Sequence, residues 1–364
     1  MVDRSEAGRR ALRGRRLLTQ RLASARCSSV ADAASWMLGT QAQDLHGARW
    51  ALALRSTGRG TDVDAALAGG EVVRGWPMRG TLMLMAAQDV HWLTTLLAPR
   101  SFAASAGPWR AAGLDRDDFA RAADVARGVL SGGRALSRTA LLAELDAGGI
   151  ATGEGRGSHL LRHLAGTALL VFGPPRGTEQ TFALLDEWVP SARRLHREEA
   201  LAELARRYVA GHGPATVRDL AWWSGLTLAD ARRAVHLAGD AVGEVSVGGA
   251  PHLVGADAAT APAPSADTVH LLPGFDELLL GYGDRTASLA RDDVPKVVPA
   301  RNGLFLPTVA VDGRVVGTWR RTLTARRVEL ETRLFEPMGV RRRSRLERSA
   351  FRYAAYLDRE LVLV

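Results

Sequence analysis

The sequence predicts a mainly helical α+β protein built from tandem winged-helix repeats with a C-terminal β-rich segment. Three observations carry that reading. Helical periodicity and strand-like alternation recur in one order three times, each time as three helices followed by a short strand pair. A Pro/Ala stretch, ADAATAPAPSAD at 256–267, reads as a linker or loop that separates these segments from the rest. Beyond it, LFLPTVAVDGRVVGTW alternates about Asp312-Gly313, a pair suited to a two-residue hairpin turn.

The first segment, 1–110, opens with a basic helix over about 9–24. A second helix over about 29–38 has Ser28 or Ser29 as its N-cap and Gly39 as its end, and a third covers about 44–56. EVVRGWPMRGTLMLM, 71–85, then alternates and turns as a hairpin. The second segment, 111–190, has helices near 115–131, 138–147 and 156–166, followed by two β-prone runs around a Gly-Pro-Pro-Arg-Gly turn. The third, 191–255, has helices near 191–211, 216–224 and 227–238, the last two capped by Thr216 and Thr227. TVRDLAWWSGLTLADARRAV reads as helix-turn-helix, and AVGEVSVGGAPHLVG as its strand pair. The C-terminal region, 268–364, ends in a helix near 343–358. Three helices and a hairpin make the winged-helix pattern, which serves mainly in nucleic-acid binding and elsewhere as a protein–protein module.

Composition narrows the partner. The chain has 364 residues, 46% hydrophobic and 24% charged, the balance of a globular protein. No apolar run reaches the roughly 18 residues of a membrane span, and the N-terminus lacks an apolar signal core. One cysteine, Cys27, excludes an intrachain disulfide, so a cytoplasmic location is expected. The net charge is +9, and 47 of the 48 basic residues are arginine, whose planar fork suits phosphate. A solubilising arginine surface is the plainer reading of the same excess. Metal and cofactor sites are not expected. His159 and His163 stand at i, i+4 without a third ligand at metal spacing, no Gly-x-x-x-x-Gly-Lys loop occurs, and no Gly-x-Ser-x-Gly elbow occurs.

LGTQAQD places Gln41 and Gln43 one residue apart. On a helix they would point about 200° apart, at roughly 100° per residue. On an extended backbone they point the same way. LGTQAQD after the second helix, WPMRGTLML in the first wing, LLPGFDELLLGYGDR and LPTVAVDGRVVGTWRR together resemble the AlkZ/YcaQ-type winged-helix DNA glycosylases. The likeness spans nearly the whole chain in motif order. It implies repeats in a C-shaped arrangement with a concave DNA-binding face. It also implies excision of guanine alkylated at ring nitrogen 7, including bulky adducts and interstrand crosslinks. Gln41-Ala42-Gln43 matches the family's Gln-hydrophobic-Gln catalytic form, found in the branch that resists a self-made alkylating antibiotic. Met83 stands where many relatives carry histidine, which puts an imidazole role in that wing in doubt.

On this reading two carboxamides clamp one water and aim its oxygen at the anomeric carbon. Segment 40–44 must then leave the helix. Asp44 reads either as an N-cap or as a second catalytic group. DNA or lesion contacts are expected from Arg49, Trp76, Met78, Arg79, Thr81, Arg320 and Arg321. For Trp76 simple packing is the stronger alternative, and Arg79 and Thr81 could instead brace the glutamines. Asp276 is expected to pair with Arg285. The expected partner is double-stranded DNA carrying alkylated guanine, bound by a monomer with no membrane association. The competing reading is a non-enzymatic DNA-binding regulator or drug-binding resistance protein.

Overall fold

The computed structural model describes residues 6–177, 179–256, 267–300 and 303–364. The chain opens with α1 (Glu6–Thr19), α2 (Val30–Met37), the short β1 (Thr40–Gln41), α3 (Leu45–Arg55) and α4 (Gly60–Ala68). The hairpin β2 (Val72–Met78) and β3 (Thr81–Ala86) precedes the long α5 (Val90–Ala111). Next come α6 (Arg116–Leu130), β4 (Leu136–Ser137), α7 (Arg138–Ala147), α8 (Arg156–Gly166), β5 (Leu170–Phe172), β6 (Thr181–Leu184) and α9 (Leu185–Trp188). They are followed by α10 (Arg197–His212), α11 (Val217–Ser224), α12 (Leu228–Ala238) and the hairpin β7 (Val242–Val247) and β8 (Ala250–Gly255). The remainder contains β9 (Val269–Leu272), α13 (Glu277–Leu280), α14 (Val294–Val297), β10 (Thr308–Val311), β11 (Arg314–Leu323), β12 (Arg327–Leu334), α15 (Val340–Tyr356) and β13 (Glu360–Leu363). Residues 257–266 of the expected linker lie outside the described residues.

Helix ends follow local chemistry. Ser29, Thr216 and Thr227 accept from the backbone N–H of Asp32, Asp219 and Asp230, so these caps are the expected ones. Helix α2 does not end on Gly39. Leu38 itself takes the left-handed conformation, φ 60°, with its N–H bonded to the Ser35 carbonyl. Helix α1 stops at Thr19, short of the expected 24. Arg21 turns left-handed there, and the Leu22 and Ala23 N–H groups fold back onto the Leu17 carbonyl.

Two compact units result. One comprises the described residues up to Val63, Leu201–Trp223 and Thr227–Val364; the other comprises Asp64–Ala200 and Ser224–Leu226. In the second unit β2 and β3 pair antiparallel through a two-residue turn, Arg79-Gly80, with φ of 49° and 69°. Strands β4, β6 and β5 form a three-stranded sheet in that order. Phe119, Leu141, Leu145, Leu160, Leu164 and Phe182 fill its core, with Trp76 and Trp109 packed against them.

The first unit holds the β-rich C-terminal region, a sheet ordered β13-β12-β11-β10-β9. Strand β13 joins β12 in parallel, and the other pairings are antiparallel. The expected Asp312-Gly313 turn joins β10 to β11, with φ of 48° and 76°. Trp50 donates to the Leu271 carbonyl and Trp319 to that of Leu272, and both rings pack edge-on against Tyr353 of α15.

A buried polar network ties this unit together. Arg55 donates its two terminal nitrogens to the Asp276 carboxylate, each at 2.9 Å, and one of them also to Gln20 Oε1. Gln20 in turn donates to the Glu277 carbonyl and to Tyr282 Oη. The Glu277 carboxylate accepts from Trp223 Nε1 at 2.9 Å and lies 3.3 Å from His212 Nε2. The expected Asp276–Arg285 pair is therefore replaced by Asp276–Arg55. Arg285 instead donates to the Leu279 carbonyl and lies over the rings of Trp222 and Phe305. Asp276 is buried as the N-cap of α13, accepting from the Leu278 N–H, and Arg55 reaches that buried position from the end of α3.

Candidate active site

Gln41 and Gln43 lie in the connection between α2 and α3, and the connection is not helical. Leu38 reverses the chain, Thr40–Gln41 is extended, and Asp44 sits at φ −94°, ψ 100° before α3 begins. Ala42 is wholly buried, while Gln41 is half-buried and Gln43 exposed. Only Thr40–Gln41 is strand and the chain bends at Gln43 and Asp44, so both carboxamides reach the surface on either side of a buried methyl. Among the described residues neither carboxamide has a hydrogen-bond partner.

Asp44 occupies the N-cap position of α3, yet its side chain makes no capping hydrogen bond. Gly47 leaves room for the carboxylate. A Cβ at Gly47 would meet Asp44 Oδ2 at 2.8 Å and Pro273 Cβ at 3.2 Å. The cap reading of Asp44 thus holds for its place in the chain and fails for its hydrogen bonding.

Around the start of α3 the fold collects a basic and aromatic group. Arg49 lies half-buried on α3, and the Arg321 guanidinium stands 5.9 Å from the Tyr353 ring centroid. Burial, then Arg321 and Arg49, hold His46 below the ordinary imidazole value, with Asp44 opposing. The ring is therefore neutral at pH 7. Burial pushes the Tyr353 and Tyr356 hydroxyls up, against the pull of Arg321 on both. His46, on α3 itself, is not singled out by any motif, and Tyr353 and Tyr356 escape the sequence reading because α15 is almost 300 residues from α3. No local spacing joins them.

The other expected contact residues divide by unit. Arg320, like Arg49 and Arg321, belongs to the first unit with the glutamines. It is exposed and ion-paired with Glu331, its partner across β11 and β12. Trp76, Met78, Arg79 and Thr81 belong to the second unit. Trp76 packs on Phe172 and lies nearly parallel to Phe182, the alternative of simple packing. Met78 is wholly buried, so it is a core residue with no surface to offer a lesion. Arg79 is exposed at the hairpin turn, and Thr81 is half-buried just after it. His163 stacks 3.9 Å from Phe119, and burial lowers its pKa to about 4. Among the described residues no helix is long and apolar enough to cross a membrane.

Comparison with known proteins places this arrangement in a class, the DNA glycosylases, hydrolases that act on N-glycosyl bonds. A family model described as "DNA glycosylase AlkZ-like" matches residues 8–356, and the chain belongs to that family. It is 29% identical over 317 residues to the interstrand DNA cross-link repair glycosylase of Streptomyces sahachiroi, covering 80% of this chain and 82% of the relative. The solved structure of Streptomyces sahachiroi DNA glycosylase AlkZ superposes with a TM-score of 0.82 at 26% identity, over 98% of this chain and 99% of that one.

Proposed function

We propose that the chain hydrolyses the bond between deoxyribose and guanine alkylated at ring nitrogen 7 in double-stranded DNA, leaving an abasic site. Gln41 and Gln43 hold the attacking water. The observation that carries this reading is the pair of outward carboxamides, without protein partners among the described residues, flanking the buried Ala42. Alkylation makes the guanine a cation, so the glycosidic bond is already weakened and the leaving base needs no protonation. What remains is to place a water and to stabilise charge on the sugar. A carboxamide is too weak a base to attack normal nucleotides, which confines the reaction to activated ones.

The three segments (1–110, 111–190 and 191–255) are taken as winged-helix repeats that hold the duplex, the first carrying α4 and α5 beyond its three expected helices. Arg218 on α11 and Arg232 on α12 are exposed and have no ion-pair partner among the described residues, as phosphate contacts require. Arg49 and Arg321, in the unit that holds the glutamines, are assigned to the DNA near the lesion, and Arg79, in the other unit, to the duplex. The name of the Streptomyces sahachiroi relative supports interstrand crosslinks as substrates. The single lysine, Lys296, lies in α14 and is paired with Asp293, so the reading includes no Schiff-base lyase step.

The test is a duplex carrying N7-methylguanine, incubated with the protein and then heated in base. The wild type is expected to give strand breaks at guanine. The Gln41→Ala/Gln43→Ala double variant should lose at least about 100-fold in rate while keeping DNA affinity within a few-fold. Unchanged excision by that variant removes the glutamines from the mechanism. A mobility shift without breaks from the wild type makes the chain a DNA-binding protein instead.

A further inference from the structure

We propose that Asp44 is a catalytic residue, the proton acceptor of the hydrolysis; this rests on the glycosylase reading above. The balance of the reaction demands such a group. The water oxygen bonds to C1′, the C1′–N9 bond breaks, and its electron pair stays with the purine, which departs neutral. One proton of the water is left over. Carboxamides do not take it up near neutral pH, so the two glutamines orient the water without accepting its proton. A carboxylate does accept it, and its negative charge also favours the positive sugar that precedes bond formation.

Asp44 is the residue next to Gln43 and stands at the entry to an 11-residue helix. A carboxylate in that position ordinarily accepts from a first-turn N–H. Here that bond is not made, and no hydrogen bond or ion pair to the carboxylate exists among the described residues. Gly47 gives the carboxylate room against the first turn, since a Cβ there would stand 2.8 Å from Oδ2 and push it aside. Asp44 acts electrostatically on His46 of α3 and Tyr353 of α15, and Arg321 of β11 acts on both of these, Arg49 on His46. With His46 neutral, the two arginines keep the neighbourhood basic and hospitable to phosphate. Asp44 is half-buried, so a proton taken from the water can pass on to solvent.

Asp44→Asn tests this cleanly, because asparagine is as good an N-cap as aspartate and a purely structural role would survive it. We expect single-turnover release of N7-methylguanine at saturating protein to fall by about 100-fold. Duplex affinity should be unchanged or tighter, and the thermal midpoint unchanged. The acid limb of the wild-type pH–rate profile should disappear in Asp44→Asn. Asp44→Ser, which keeps a cap and lacks a proton acceptor, should show the same loss, and Asp44→Glu should recover part of the rate. Release by Asp44→Asn within about 3-fold of wild type, with the same pH profile, overturns the proposal. A wild type that releases no methylated guanine overturns the glycosylase reading instead, so the two failures are distinguishable.

Discussion

Two polar clusters in the first compact unit use similar residues to opposite ends. Around Arg55 two carboxylates, a carboxamide, a tyrosine and a histidine are buried and joined by hydrogen bonds. Around Gln41 a carboxylate and two carboxamides stand at the surface with no protein partner among the described residues. Both derive from stretches that resemble the family, GFDELLLGYGDR and GTQAQD. A recurring polar motif therefore carries no function by itself. Whether its groups are satisfied within the fold is what separates a structural cluster from one left free for water and substrate.

The largest expected effect comes from breaking the satisfied cluster. Asp276→Ala strands the Arg55 charge in the interior, which costs about 3–5 kcal/mol. For a chain of this size that lowers the thermal midpoint by roughly 5 °C, readable by calorimetry or circular dichroism. Excision per folded molecule should stay near wild type at a temperature where the variant is folded. The glutamine double variant should behave in the reverse way, with a midpoint close to wild type and excision lost. If Asp276→Ala kept the wild-type midpoint, the contrast between the two clusters would collapse.

Much of this contrast was legible before the structure. The spacing of Gln41 and Gln43 already demands a non-helical backbone, and the recurring helix and hairpin order is present in all three segments. What was not legible is non-local. Asp276 lies 221 residues from Arg55, and a sequence reader chooses Arg285 because it is near. Sequence reasoning assigns no element to α5, which contains Pro99 and Pro108. The helix nonetheless runs through both, its Trp92, Leu93, Leu96 and Leu97 buried. Strand β12, RVELETRL, carries the alternation of a half-buried strand, with Val328 and Leu330 inward between charged neighbours, yet the sequence reading assigns it no element. The end of α2 was misplaced by one residue because glycine is the default left-handed residue and leucine is not.

A middle case sharpens the rule. His163 Nδ1 is buried without a partner, which by satisfaction alone would mark it as functional. Its neighbours are Phe102, Trp109 and Phe119, which offer no chemistry, so it is a core aromatic. The unfolded imidazole titrates near 6.5 and the folded one at about 4, so the unfolded chain takes up the proton first on acidification. The stability supplied by the neutral ring is complete above pH 6.5 and is lost as the pH falls from there toward 4. His163→Phe should flatten that loss, seen as a smaller drop in thermal midpoint between pH 7 and pH 5. Excision should be unaffected. A loss of excision at constant stability would move His163 into the site.

The smallest effect is the most informative about where DNA lies. Arg320 and Glu331 form an exposed cross-strand pair, and such pairs contribute about 0–1 kcal/mol, so neither alanine variant should shift the thermal midpoint noticeably. Arg320 can bind phosphate only by exchanging one anion for another, so Glu331 acts as a competitor. Glu331→Gln removes the competitor and leaves the strand pairing intact. If Arg320 touches the backbone, Glu331→Gln should tighten duplex binding. Arg320→Ala should then weaken binding and reduce the slope of log affinity against log salt by about 0.9. If both variants bind as wild type does, the pair belongs with the satisfied cluster, and the DNA path runs past Arg321 and Arg49 without reaching the outer face of β11.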